Sequence, residues 1–149
     1  MNKVLFVCLG NICRSPAGEA VLKSLTSGSD YLIDSAGTNG FHDGEKADHR
    51  MREAASRRGI DITSISRQIK AADLEEFDYI LTMDNSNYAN TVKLNPKYES
   101  KVHKFCQYLD SNFSDYNEVP DPYFGGDAGF ELVLDLLENG CRNFLKQVK

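Results

Sequence analysis

The sequence predicts an α/β domain built on a parallel sheet, and two observations carry that reading. Short apolar runs of strand length alternate with stretches whose apolar residues recur at helical spacing. The first run also leads through Gly10 and Asn11 into Ser15-Pro16, a helix-start signature. Strand followed by helix, repeated, is how a parallel sheet with flanking helices is laid down. The 149 residues fit one domain spanning 1–149, long enough to bury a core without disulfides or metal.

The elements follow in order. Residues 3–8 read as a buried strand and 16–25 as a helix with Ala17, Val21, Leu22 and Leu25 on its core face. Residues 31–35 form a second strand, and 47–58 a helix closed by Gly59 in a left-handed cap. Residues 77–83 are a third strand and 86–94 a helix ending before Pro96. A weaker fourth strand covers 101–105. The last helix, 128–146, turns Phe130, Val133, Leu134, Leu137, Cys141 and Phe144 inward. Gly140 interrupts it at a cost of up to ~1 kcal/mol.

Composition excludes several classes of function. Seventeen basic residues against 22 acidic give a net charge of −5, which argues against nucleic-acid binding through clustered Lys and Arg. The densest basic stretch, 50–58, holds four Arg with Glu53 and reads as a solvated helix face. No apolar run approaches the ~20 residues that span a bilayer, and the six-residue run near the start is too short for a signal-peptide core. A cytoplasmic protein without membrane contact is expected. The cysteines at 8, 13, 106 and 141 make no Cys-x-x-Cys, and His42, His49 and His103 do not flank them at zinc-finger spacing. No metal or cofactor is expected, nor a disulfide framework.

Parallel sheets bind ligands beyond the carboxyl ends of their strands, which directs attention to Cys8-Leu9-Gly10-Asn11-Ile12-Cys13-Arg14-Ser15-Pro16. Gly10 and Asn11 tolerate positive φ, so the loop can curl. A curled loop ending at a helix start points several N–H groups inward, forming an anion nest reinforced by the helix dipole. Arg14 closes it with a planar fork matched to phosphate oxygens. Cys8 lies at the bottom of this positive cup, a setting that stabilises a thiolate and places it for in-line attack on phosphorus. Five residues between Cys8 and Arg14 are enough to wrap one tetrahedral oxyanion.

This segment closely resembles the catalytic loop of the low-molecular-weight protein tyrosine phosphatases, and the resemblance covers essentially the whole chain. It implies a four-stranded parallel sheet of order 2-1-3-4 with helices on both faces. It also implies hydrolysis of protein phosphotyrosine through a cysteinyl-phosphate, without metal. Leu9, Gly10, Asn11, Ile12 and Cys13 would wrap the phosphate. The general acid of the family lies in an Asp-Pro-Tyr-aromatic segment, which Asp121-Pro122-Tyr123-Phe124 resembles, although Pro-Asp-Pro is also plain turn chemistry. Tyr123 and Phe124 would line the pocket mouth, faced by Phe41, where many relatives have Trp. Ser35 would hold Asn11, and Ser15 would hydrogen-bond the nucleophile, besides being a candidate N-cap. Asp84 is a candidate to orient Arg14 or to cap the following helix. Cys13 is a candidate resolving thiol for an oxidised Cys8, or a small buried residue. The expected partner is a phosphotyrosine-containing protein, with a tyrosine kinase as one candidate, and the chain is expected to be a monomer or weak dimer.

Three rivals share parts of this pattern. A thioredoxin-coupled arsenate reductase would need two further cysteines after the third strand, and residues 79–104 contain none. Relatives acting on phosphoarginine have Thr where Ile12 stands. A module that only binds phosphate would be expected to lack the nucleophile, the Arg or the acid, and all three are present.

Overall fold

Four strands form one parallel sheet in the order β2-β1-β3-β4. The structure is a computed structural model and describes residues 2–26, 30–122 and 126–148. The strands are β1 (Asn2–Cys8), β2 (Tyr31–Gly37), β3 (Tyr79–Thr82) and β4 (Val102–Lys104). β1 is central, and its side chains alternate between the two layers. Val4, Phe6 and Cys8 join the core under α1 (Arg14–Leu25), α2 (His49–Ser56) and α5 (Gly126–Gln147). Leu5 and Val7 join a second core under α3 (Ala71–Glu76) and α4 (Asn85–Leu94), with Leu74, Ile80 and Val102. A strand covered on both faces is a continuous apolar run, which is what residues 3–8 are.

Expected and observed elements agree in type and differ at their ends. β2 runs two residues further, because Gly37 pairs with Cys8. α2 starts at His49, where Asp48 accepts from the Arg50 amide (2.8 Å). It stops before Gly59, whose φ of +76° is the left-handed conformation the sequence suggested. The short helix α3 was not expected, nor were the 3-10 turns Pro96–Lys101, Phe105–Tyr108 and Ser111–Phe113. Leu25, expected in the core, is largely exposed.

Two expectations are corrected. Gly140 is no flaw. A Cβ there would run into the ring of Phe105, so glycine is what lets α5 lie directly on that aromatic. The Arg stretch 50–58 is not simply a solvated face. Arg58 binds Glu131 (2.7 Å), Asp135 (3.0 Å) and Glu138 (3.4 Å), and Arg50 stacks 4.8 Å above Phe130. All four partners are on α5, so α2 is clamped to it.

Candidate active site

The loop from Cys8 to Arg14 leaves the carboxyl end of the central strand and enters α1, the position the sequence assigned it. Its carbonyls are turned outward and held. The Cys8 and Leu9 carbonyls accept from the amides of Thr38 (2.9 Å) and Asn39 (3.0 Å), and the Ile12 carbonyl accepts from Asp48 (2.7 Å). The Asn11 carbonyl accepts from the Ser66 hydroxyl. No backbone group among the described residues takes up the amides of residues 9–14. A loop with carbonyls tied outward and amides uncommitted is an anion nest. Asn11 makes the curl possible with a φ of 57°, a conformation Asn tolerates better than most residues. Gly37 allows the loop to lie close, since a Cβ there would sit 2.8 Å from the Leu9 carbonyl.

Inside the loop the hydrogen bonds have a fixed direction. Asn11 Nδ2 donates to Ser15 Oγ (2.8 Å) and Ser35 Oγ (3.0 Å), and Asn11 Oδ1 accepts from the Arg67 amide (3.0 Å). Ser35 Oγ donates to Glu19 Oε1 (2.6 Å), and Glu19 is paired with Lys23. Ser15 Oγ is therefore already an acceptor. Its own proton is left for Cys8 Sγ at 3.0 Å, the alternative being the Ala36 carbonyl at 3.4 Å. The Ser15 hydroxyl is thus placed as a hydrogen-bond donor to the sulfur.

Ser15 is thus placed where the resemblance put it, and its N-cap role is corrected. α1 begins at Arg14, one residue before it, and Cys13 occupies the cap position with no side-chain hydrogen bond. The Ser15 hydroxyl faces the sulfur instead. Asp84 makes the contacts that both of its candidate roles call for, one per oxygen. Its Oδ1 accepts from the Asn87 amide at the start of α4 (2.7 Å), and its Oδ2 accepts from Arg14 NH1 (2.9 Å). The same NH1 donates to the Val119 carbonyl (3.0 Å). Two acceptors on one nitrogen fix the guanidinium plane and turn its other edge to the cleft. The Arg14 pKa is raised: burial, the largest influence, lowers it, but the charge of Cys8 and the hydrogen bond and charge of Asp84 outweigh it.

Cys8, Cys13 and Arg14 line a cleft of about 320 Å³ with Leu9, Gly10, Ile12, Asn39, Phe41, His42 and Asp121. Asp121 stands at its edge, next to the buried Pro122. Phe41 is 86% exposed and projects at the mouth beside the His42 ring, 5.9 Å away. Tyr123 and Phe124 lie outside the described residues. Cys13 is buried in the wall of the same cleft, and burial, with Asp48 and Cys8 adding to it, pushes its thiol pKa well above the usual range. No group of metal-ligating side chains occurs among the described residues.

Sequence reasoning missed Ser66 and Arg67, which bond Asn11 directly, Glu19, which holds it through Ser35, and His42 in the cleft wall. Glu19 gave a signal, being four residues after Ser15 and so on the same helix face. Ser66 and Arg67 lie in an extended segment with no periodicity to place them.

Comparison with known proteins follows the same geometry. The family model described as low molecular weight phosphotyrosine protein phosphatase matches residues 3–149. The chain belongs to that family. Its members are protein-tyrosine phosphatases, and the chain is a hydrolase of that class. It is 47% identical to a putative low molecular weight protein-tyrosine-phosphatase of Synechocystis, over 96% of this chain and 94% of that one. It is 39% identical to the human low molecular weight phosphotyrosine protein phosphatase, over 98% and 95%. A crystal structure of the Entamoeba histolytica protein tyrosine phosphatase with Hepes in its active site superposes with a TM-score of 0.95. That chain is 44% identical, with 99% of this chain and 97% of that one covered. No helix among the described residues is long and apolar enough to cross a membrane.

Proposed function

We propose that this phosphatase hydrolyses protein phosphotyrosine in two steps through a phosphocysteine on Cys8, without a metal ion. The observation that carries the proposal is the cup itself, with Cys8 Sγ beneath uncommitted loop amides and beside the oriented fork of Arg14. The amides of residues 9–14 and Arg14 bind the phosphate oxygens, and the Cys8 thiolate attacks phosphorus from below. The S–P bond forms as the P–O bond to the tyrosyl oxygen breaks, and Asp121 gives its proton to that oxygen. The thiolate is regenerated when water, deprotonated by Asp121, attacks the phosphocysteine and releases phosphate. Ser15 stabilises the departing sulfur, while Asn11, Ser35 and Asp84 hold the loop and Arg14. Phe41 and Leu9 pack against the aryl ring, as aromatic and apolar faces do.

We further propose that residues 1–149 work as one catalytic domain in the cytoplasm, on phosphoproteins that include a tyrosine kinase. The test is hydrolysis of p-nitrophenyl phosphate in excess chelator. Wild type should turn over and Cys8→Ser should not. Asp121→Ala should slow turnover by roughly 10²–10⁴-fold, the range for loss of a general acid and base. Chelator-sensitive activity, or activity surviving in Cys8→Ser, would contradict the mechanism.

A further inference from the structure

The dipeptide Asn-Gly occurs twice in this chain, at Asn39-Gly40 and at Asn139-Gly140. In this pair the backbone can cyclise on the side chain. The nitrogen after an asparagine is joined to the carboxamide carbon through Cα and Cβ, so rotation about single bonds alone brings the two into a five-membered ring. Glycine leaves that nitrogen unshielded, having no Cβ. The two copies share this chemistry and differ in what restrains it.

Asn139 is locked. Its Oδ1 accepts from the Asp110 amide (3.1 Å) and its Nδ2 donates to Asp110 Oδ2 (2.9 Å). Gly140 lies inside α5, where each amide donates to the carbonyl one turn back. Asn39 is open. It follows β2 and, like Gly40, is partly exposed to water. Neither Asn39 Nδ2 nor the Gly40 N–H has a hydrogen-bond partner among the described residues. The Asn39 carboxamide is held only at Oδ1, which accepts from the Phe41 amide (3.1 Å). That bond draws electrons from the carboxamide carbon and is placed to stabilise the oxyanion formed when the carbon is attacked. Nucleophile and leaving group are thus uncommitted, and the electrophile is polarised. Asn39 also lines the catalytic cleft with Cys8, Arg14 and Asp121, and its own amide holds the Leu9 carbonyl (3.0 Å).

We propose that Asn39 is a modification site, at which spontaneous ring closure onto Gly40 replaces a neutral carboxamide of the cleft by a carboxylate. The Gly40 nitrogen gives its proton to hydroxide and forms a bond to Cγ. The Cγ–Nδ2 bond breaks, and Nδ2 leaves as ammonia with a proton from water. Water then opens the succinimide. Cleavage of the new bond gives aspartate, and cleavage of the original peptide bond gives isoaspartate, whose backbone runs through the side chain. The conversion itself needs no phosphatase chemistry. Its effect on activity rests on the phosphatase reading above, because the added charge repels the phosphate and isoaspartate lengthens the loop that holds Leu9.

The test keeps the folded protein in warm, mildly alkaline buffer with reductant and follows both Asn-Gly peptides by mass spectrometry. Isoaspartate is labelled with protein isoaspartyl methyltransferase. Asn39 should convert to a mixture of aspartate and isoaspartate at least roughly tenfold faster than Asn139, which reacts only when α5 opens locally. In urea, where neither is restrained, the two rates should converge. A rate at Asn39 no greater than at Asn139 in the folded protein overturns the site, and aspartate without isoaspartate overturns the ring closure. Asn39→Asp supplies the charge directly and keeps an acceptor for the Phe41 amide. Its kcat/KM for p-nitrophenyl phosphate should be roughly two- to tenfold below wild type at low ionic strength and approach it in high salt. Equal activity at low salt overturns the effect on the cleft. Asn39→Gln, which would need a larger ring, should hold its starting activity through an incubation in which wild type declines, and decline at the wild-type rate overturns the link to Asn39. Failure of fresh wild type to hydrolyse p-nitrophenyl phosphate overturns the phosphatase reading, a result distinct from the peptide rates, which are read without any turnover.

Discussion

Cysteine chemistry in this protein is decided by what each sulfur faces. Cys8, Cys13 and Cys141 are all buried, but Cys8 faces the Ser15 hydroxyl and the Arg14 charge, whereas desolvation pushes the thiols of Cys13 and Cys141 up beyond the usual range. Burial, helped by Glu118, pushes the Cys106 thiol up to about 11. Only thiolate reacts with alkylating agents, and a raised pKa leaves little of it near neutral pH. Iodoacetamide at pH 7 should therefore label Cys8 first in the folded protein and leave Cys13, Cys106 and Cys141 almost untouched. Peptide mass spectrometry checks this, and comparable labelling of Cys13 would contradict it. Bound phosphate should protect Cys8, since it fills the same cup. The sequence made Cys8, Arg14 and Asn11 legible because the motif is contiguous. Ser66 was not, because it reaches Asn11 from a distant segment, and Glu19, though on the Ser15 face of α1, acts on Asn11 only through Ser35.

At the scale of elements, two contacts on α5 can be tested by unfolding. Gly140→Ala should stabilise an isolated helix by up to ~1 kcal/mol, yet here the added Cβ meets the Phe105 ring. Overpacking of this kind typically costs about 1–3 kcal/mol, so the net effect should be a lower urea midpoint. A raised midpoint would show that Phe105 yields easily. The α2–α5 clamp is the second contact. Arg58 donates to Glu131 at 2.7 Å and 3.2 Å, and its hydrogen bond, with that of Arg57, holds the Glu131 carboxyl below its ordinary range. Because the folded pKa is the lower one, this stabilisation is present above the ordinary carboxylate range. It is lost as pH falls through the folded value. The groups are partly exposed, so Arg58→Ala should cost about 1 kcal/mol at neutral pH, and less in acid. Equal losses at both pH values would contradict the ionic account. Helix periodicity revealed α5 in the sequence. It could not reveal α3, which is only six residues long, nor show that Arg58 points inward rather than to water.

The molecule as a whole gathers residues far apart in sequence onto one edge of the sheet. Cys8 and Arg14 come from the β1–α1 loop, Ser35 from the end of β2, Asp84 from the end of β3, and Asp121 from the segment before α5. The alternation of apolar runs and helical patterns made the sheet and its active edge legible, because buried parallel strands need apolar side chains on both faces. The extended segment 64–69 that braces the loop was not legible. It pairs with Gly37 and Lys46 through isolated bridges and has no periodicity of its own. The central claim is the covalent step on Cys8, and trapping the intermediate tests it most directly. Asp121→Ala, mixed with p-nitrophenyl phosphate and quenched within one turnover, should carry a phosphoryl group on the peptide containing Cys8, seen by mass spectrometry and absent in Cys8→Ser. Aryl phosphate turnover with no phosphoryl adduct at Cys8, or with the adduct at another residue, would contradict it.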